Sequence, residues 1–347
     1  MNPISKPDYL PIPELRKMQL EKLQKLIPYE YERVPLFRRR CDEKGVKPRD
    51  LVTLADLAKF PFMKKTDLRD EYPYGLTAAP MSEINRFHCS SGTTGKPICI
   101  PQTAEDVAIW TEGVARCIAM YGITRDDIVQ VSYGYGLFTG GLGAHYGAEK
   151  LGCAVLPTGA GNTEKQIMLM KDLGTTVICC TPSYFLHLAT VAEKIGVDFR
   201  RDTKLKHGVF GAEPWTDEIR ERIEQMSGIT AHDIYGLTEI AGPGVAGNCP
   251  YCHGLHVWED HFYPEIIDPD TLEVLPTARK ASSSSRLSTA WARRWCDTGR
   301  VTSRASRSAN ASAAARCASW TVSTRVQTTC SSSMASTSSR ARSRRAS

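Results

Sequence analysis

Between residues 86 and 235, short apolar runs alternate with longer amphipathic ones, and this alternation restricts the fold more than any other feature of the chain. Strand-like runs fall at 86–89, 98–101, 128–132, 154–156, 176–180, 207–210 and 231–235, and helical spacing fills 104–121, 141–151, 164–173, 182–195 and 215–226. Four-residue apolar runs with ten-residue helical intervals argue for βαβ units, and so for an α/β fold with mostly parallel sheets flanked by helices. Ligands of such sheets collect outside the carboxyl ends of the strands. Ahead of the alternation, Leu15, Met18, Leu20, Leu23 and Leu26 predict an amphipathic helix over 13–26, followed by short helices near residues 34 and 51, with Thr66 as an N-cap and Arg38–Arg40 as a solvated face.

One stretch inside this frame cannot be regular structure. Cys89-Ser90-Ser91-Gly92-Thr93-Thr94-Gly95-Lys96-Pro97 packs hydroxyls and glycines into a loop between two strands. Gly92 and Gly95 let backbone N–H groups converge on an anion, the hydroxyls of Ser90, Ser91, Thr93 and Thr94 add donors, and Lys96 adds charge. The spacing is not that of a Walker A loop, whose lysine is followed by Ser or Thr and not by proline. The bland alternative is a polar surface turn. At the end of the last strand, Tyr235-Gly236-Leu237-Thr238-Glu239 offers a ring to stack on a base, a close backbone approach, a hydroxyl for a phosphate and a carboxylate for Mg²⁺. Tyr133, Tyr135 and Phe138 sit in a glycine-rich turn that suits either a flat acyl group or ordinary core packing. His145, on the helix that follows, reads as packed or surface-bonded. Cys249, Cys252 and His256 have the spacing of half a zinc site, or of reduced thiols with no metal.

These motifs, in this order, resemble the AMP-forming acyl-CoA synthetases, and among them the phenylacetate–CoA ligases. The narrower likeness rests on Tyr133 to Leu142, Gly211-Ala212-Glu213-Pro214, Tyr235 to Glu239 and Gly254 to Asp260, and it covers residues 8–276. The resemblance implies an adenylate-forming large domain with a helical lead-in over 1–80 and an ATP- and acid-binding α/β domain over 81–276. It also implies that Gly211–Pro214 lines the adenine and that Asp233 and Ile234 belong to the nucleotide wall. Tyr135, Phe138 and Gly140 would border the acid, and Lys96, Thr238 and Glu239 would act on the phosphates, Glu239 through Mg²⁺. The implied reaction joins an aromatic acid to coenzyme A through an acyl-adenylate made from ATP. Loading of a carrier protein is an alternative, as is a catalytically dead nucleotide-binding protein with a basic tail. A homodimer is implied by the relatives.

Composition bounds the rest. No run of 18 apolar residues exists, the N-terminus carries no apolar signal core, and the adjacent Cys179 and Cys180 suit buried reduced thiols; a cytoplasmic chain without membrane partners is expected. The net charge of +6 is misleading: of 44 basic and 38 acidic residues, 14 and one fall from Ala278 onward, leaving 30 against 37 in the body, which gives no nucleic-acid footprint.

After Pro276 the resemblance stops. The 70 residues from Ala278 include 19 serines, hold no period, and are expected to form a disordered tail over 277–347. Joining the last base of each codon to the first two of the next gives the same family back. Residues 276–284 then permit Asp-Gly-Glu-Lys-Gly-Glu-Leu-Val, residues 296–304 permit Arg-Tyr-Arg-Thr-Gly-Asp-Val-Thr, and residues 309–316 permit Glu-Cys-Glu-Cys-Gly-Arg-Thr. The three segments share one shift and stand in family order. On this reading the chain lacks the family's ribose aspartate, hinge and mobile C-terminal domain, and little or no ligase activity is expected of it.

Overall fold

A computed structural model describes residues 7, 10–90, 97–249, 252–267 and 271–274 and, for the backbone only, the strands at 286–291, 304–306 and 321–323. The lead-in is helical: α1 (Ile12–Arg33), α2 (Pro35–Glu43) and α3 (Lys65–Asp70), with two short 3-10 helices between α2 and α3. Leu23, Ile27, Leu36, Phe37, Leu57 and Met63 form its core together with Ile98 and Ile100, just before and within the second strand of the hairpin that follows. The antiparallel hairpin β1 (Ile84–Cys89) and β2 (Cys99–Thr103) comes next, then α4 (Ala104–Met120), β3 (Ile128–Val131), α5 (Thr139–Leu151), β4 (Ala154–Leu156), α6 (Thr163–Asp172), β5 (Val177–Cys180), α7 (Pro182–Lys194), the short α8 (Phe199–Asp202), β6 (His207–Phe210), α9 (Asp217–Ser227) and β7 (Thr230–Leu237). Two further strands, β8 (Gly242–Cys249) and β9 (Cys252–Val257), complete a seven-stranded sheet in the order β4-β3-β5-β6-β7-β8-β9.

The five strands from β3 to β7 are parallel, and β8 and β9 are antiparallel additions at one side. Residues of β3 and β5 such as Val129, Val131, Val177 and Cys179 are fully or almost fully buried, as strands covered on both faces must be. One face packs Trp110, Val114 and Ile118 of α4, and the other packs Ile167, Phe185, Leu188 and Ile223 of α6, α7 and α9. A strand β10 (Phe262–Ile267) pairs antiparallel with β11 (Arg286–Trp291), and β12 (Arg304–Ser306) with β13 (Thr321–Ser323). The expected disorder of the tail otherwise falls outside the described residues.

Two expectations for the lead-in need correction. Thr66 is not the N-cap: the helix starts two residues earlier than that cap would place it, because the Asp67 carboxylate takes the Lys64 N–H at 2.5 Å and makes Lys64 the cap. Arg40 is not part of a solvated face. Its guanidinium grips Asp67 with two bonds of 2.6 and 2.7 Å, tying α2 to α3.

Below the sheet's carboxyl edge, His207 Nδ1 and His232 Nε2 meet at 3.1 Å across β6 and β7, and Tyr121 stacks on His232 at 4.4 Å between centroids. Burial, aided by His207 and Arg220, holds His232 down at about 3, and burial lowers His207 as well. The unfolded chain takes up these protons near pH 6.5 and the native one does not. The stability due to neutral His232 is therefore complete above pH 6.5 and is lost as pH falls toward 3, by about 1.4 kcal/mol per pH unit. Asp233, raised to about 6 by burial, works the other way between pH 4 and 6, so the comparison needs a variant. His232→Phe keeps the stack and removes the proton site. The pH dependence of its denaturant midpoint between 6.5 and 4.5 is expected to be shallower than that of the parent by about one proton. Parallel curves would remove His232 as the source.

Candidate functional site

Because β3, β5, β6 and β7 run the same way, their carboxyl ends share one edge, and three of the segments singled out above sit there beside a fourth, Thr181–Ser183. The aromatic turn follows β3, Thr181–Ser183 follows β5, Gly211–Pro214 follows β6, and Tyr235–Glu239 closes β7. Gly211 has to be glycine, since a Cβ would run into the Ile234 carbonyl of the neighbouring strand. Ala212 next to it holds φ at +71°, a conformation rare outside glycine and a form of strain that clusters at functional turns. Glu213 is not left free for a ligand: its carboxylate accepts the Ser183 N–H at 2.7 Å and the Ser183 hydroxyl at 3.0 Å, locking the β6 turn to the start of α7. The sequence reading missed Ser183, because a serine at a helix start carries no signal beyond capping.

The aromatic turn divides. Tyr133 is core: it is buried and donates to the Cys180 carbonyl at 2.6 Å. Tyr135 is half-buried, with its hydroxyl 3.1 Å from His145 Nδ1, and His145 Nε2 reaches Glu149 at 3.0 Å, the packed and surface-bonded arrangement expected of it. Phe138 is 38% exposed and lies over Gly140, where a Cβ would strike its ring. An exposed ring above a glycine floor is a surface for a flat apolar group.

The hairpin brings the hydroxyl-rich loop to this turn. The Cys89 N–H donates to the Leu137 carbonyl at 2.9 Å, and His88 Nδ1 lies 3.1 Å from the same oxygen. At the neck, the Ser90 N–H donates to the Ile98 carbonyl at 3.0 Å and the Ser90 hydroxyl accepts the Ile98 N–H at 3.1 Å. Ser91, Gly92, Thr93, Thr94, Gly95 and Lys96 lie outside the described residues. The loop's two ends are nonetheless fixed beside the aromatic turn.

Thr238 and Glu239 are buried in a single 3-10 turn after β7. Gly236 permits that turn, because any Cβ would collide with the Gly242 carbonyl of β8. Glu239 Oε1 meets the Lys65 ammonium of α3 at 2.6 Å, so a cation already faces this buried carboxylate. Lys65 was not picked out in the sequence, where it reads as one of two surface lysines. Tyr235 is held well above its ordinary range, first by burial and then by Glu239, and its hydroxyl is buried without a partner among the described residues. Asp233 and Ile234 lie deeper in β7. Ile234 belongs to the core, and the Asp233 backbone takes the Tyr121 hydroxyl at 2.7 Å and gives its N–H to Asn248 at 2.6 Å. Cys249 and Cys252 face each other in the β8–β9 register and His256 is buried on β9, with the Cys252 side chain outside the description; among the described residues no three His, Cys, Asp or Glu side chains gather as a metal site.

Known proteins share the sequence and the fold of this chain. The family model for AMP-binding enzyme matches residues 40–280. The phenylacetate-coenzyme A ligase of Pseudomonas putida is 57% identical over 263 residues, covering 76% of this chain and 60% of its own. The enzyme of that name from Escherichia coli K12 is 49% identical over 260 residues, 74% of this chain and 59% of its own. The chain thus spans about three fifths of the length of these relatives. Among solved structures, a 2-hydroxyisobutyryl-CoA ligase in complex with 2-HIB-AMP and CoA superposes with a TM-score of 0.80 at 28% identity, covering 88% of this chain and 66% of that one.

Proposed function

This chain belongs to the AMP-binding enzyme family, and from that premise we propose that it carries the nucleotide and acid sites of an AMP-forming ligase that joins an aromatic carboxylic acid, phenylacetate first, to coenzyme A. The observation that carries the reading is the Cys89-to-Leu137 hydrogen bond, which sets the origin of the hydroxyl and glycine loop against an exposed ring above a glycine floor. An acid resting on Phe138 would present its carboxylate toward phosphates cradled by the loop. In the reaction, that carboxylate attacks the α-phosphorus, pyrophosphate leaves, and the CoA thiol then displaces AMP. The chain contributes position and charge: loop N–H groups and Lys96 on the phosphates, Thr238 as a donor, Gly211–Pro214 and Tyr235 about the base. Glu239 fits a magnesium ion, since its buried carboxylate already takes a cationic partner, and the metal would supply charge neutralisation there. The name shared by relatives at 49–57% identity supports the aromatic acid, and the family resemblance supports a cytoplasmic homodimer.

Calorimetric titration with ATP tests the cradle. Lys96→Ala, combined with Gly92→Val, is expected to raise the Kd at least tenfold, the worth of one charge-assisted contact. Unchanged affinity would leave the reading without its first element.

The sequence from residue 277 is proposed to be family sequence read one base out of frame. Three segments under one shift support this, and so does the confinement of 14 of the 44 basic residues to the last 70. Sequencing the gene across codons 270–350 tests it, and robust acyl-CoA synthesis by this chain would stand against it.

A further inference from the structure

The cysteines at either side of the loop form a pair that the proposed chemistry does not use. Cys89 closes β1, Cys99 opens β2, and the two stand directly opposite in the antiparallel register. Their position type follows from the hydrogen bonds. The Cys89 N–H leaves the hairpin for Leu137, whereas the next pair in register is joined by the Ser90 N–H and the Ile98 carbonyl. Hydrogen-bonded and open pairs alternate along an antiparallel ladder, so Cys89 and Cys99 occupy an open pair, with Cα atoms about 4.5 Å apart and side chains on one face. That separation lies within the range a disulfide spans, roughly 4.4–6.8 Å between Cα atoms. The two thiols are near enough to hydrogen-bond to each other. Both are half-buried and unlinked, while Cys41, Cys117, Cys153, Cys179 and Cys180 are buried.

We propose that Cys89 and Cys99 are a reversible thiol–disulfide site that closes the neck of the loop between them, oxidised by a low-molecular-weight disulfide of the glutathione class. The chemistry is two exchanges. The Cys89 thiolate attacks one sulfur of glutathione disulfide, forming a mixed disulfide and releasing one glutathione thiolate. The Cys99 thiolate then attacks Cys89 Sγ, forming the intramolecular bond and releasing the second. The two protein thiols lose two electrons and two protons, and both pairs end on two molecules of reduced glutathione. Burial and the neighbouring Cys89 push the Cys99 thiol up to about 11, which slows its attack in the second exchange.

The experiment equilibrates the full chain in buffers of graded reduced-to-oxidised glutathione ratio, blocks free thiols by alkylation and maps tryptic peptides. Residues 87–116 hold both cysteines and no other, and Lys96, followed by proline, resists trypsin. The expected product is an unalkylated peptide about 2 Da lighter than its reduced form, regenerated by dithiothreitol. Cys89→Ser and Cys99→Ser each abolish it. The oxidised parent melts about 5 °C higher than the reduced one, because the closed loop constrains the unfolded chain, and neither variant shows that rise. Alkylation of both thiols at every ratio would overturn the proposal. So would separate glutathione adducts at the two positions without an internal bond, or a disulfide from either cysteine to Cys249.

Discussion

Replacing Arg116 with methionine is expected to destabilise the protein by about 3–5 kcal/mol. Arg116 on α4 and Asp260 in the turn before β10 are both almost entirely out of water, and Arg116 Nη1 reaches both Asp260 oxygens at 3.0 Å. The guanidinium also lies over the Trp258 ring, 4.4 Å from its centroid, while Trp258 Nε1 donates to the Gly113 carbonyl at 3.1 Å. The same turn is held from α1, where Gln19 donates to the Glu259 carbonyl and Lys22 to that of Asp260, each at 2.6 Å. Removing the arginine strands a buried carboxylate at the junction of lead-in, α4 and β10. Removing both charges does not: Arg116→Met with Asp260→Leu is expected to recover most of the loss. His261 Nε2, 3.2 Å from Asp260 and held down at about 4 chiefly by burial, can take a proton once the arginine is gone. The deficit of Arg116→Met in urea midpoint is therefore expected to be smaller at pH 5 than at pH 8. A single variant that loses under 1 kcal/mol, or a double variant as unstable as the single, would show that the pair does not hold this junction.

That junction also shows which parts of the fold the sequence could disclose. The parallel strands were legible because each is a short apolar run bounded by polar helix starts, and β4 and β6 lie at 154–156 and 207–210, where the pattern puts them. The antiparallel strand β8 was not, because Gly242, Pro243, Gly244 and Gly247 leave no run of alternating apolar side chains there. Those glycines exist for packing: a Cβ on Gly244 would press on Val114 at 2.6 Å, and one on Gly113 would meet the Gly244 carbonyl at 2.6 Å, so α4 lies directly on the strand backbone. Long-range pairs leave no local trace. Arg116 and Asp260 are 144 residues apart, and neither looks different from a surface charge until the chain is folded. The candidate site was legible where it depends on residue types confined to a few positions, as in the turn at 235–239 that closes β7. It was not where a common residue arrives from elsewhere, as Lys65 and Ser183 do.

Lys65 bears on the second large effect, which concerns metal and nucleotide together. Glu239→Gln is expected to abolish the gain in ATP affinity that Mg²⁺ gives the parent, about tenfold to a hundredfold in Kd, while leaving metal-free ATP binding within about twofold. The exchange keeps the shape of the side chain and removes its charge. In the absence of ligand that charge is balanced by the half-exposed Lys65 ammonium at 2.6 Å, a pair whose net stabilisation is small because one member remains hydrated. The glutamine variant should accordingly unfold within about 1 kcal/mol of the parent, which separates this experiment from a folding defect. Titrating ATP into parent and variant, each with and without Mg²⁺, gives four affinities. If the metal strengthens binding to the variant as much as to the parent, Glu239 does not hold the ion, and the carboxylate serves only to anchor α3 through Lys65. If the metal gain disappears together with metal-free affinity, the turn at 238–239 positions the nucleotide and not the ion. Loss of the metal gain alone would place Mg²⁺ on Glu239, because a neutral amide cannot replace a carboxylate as the counter-charge to a divalent ion.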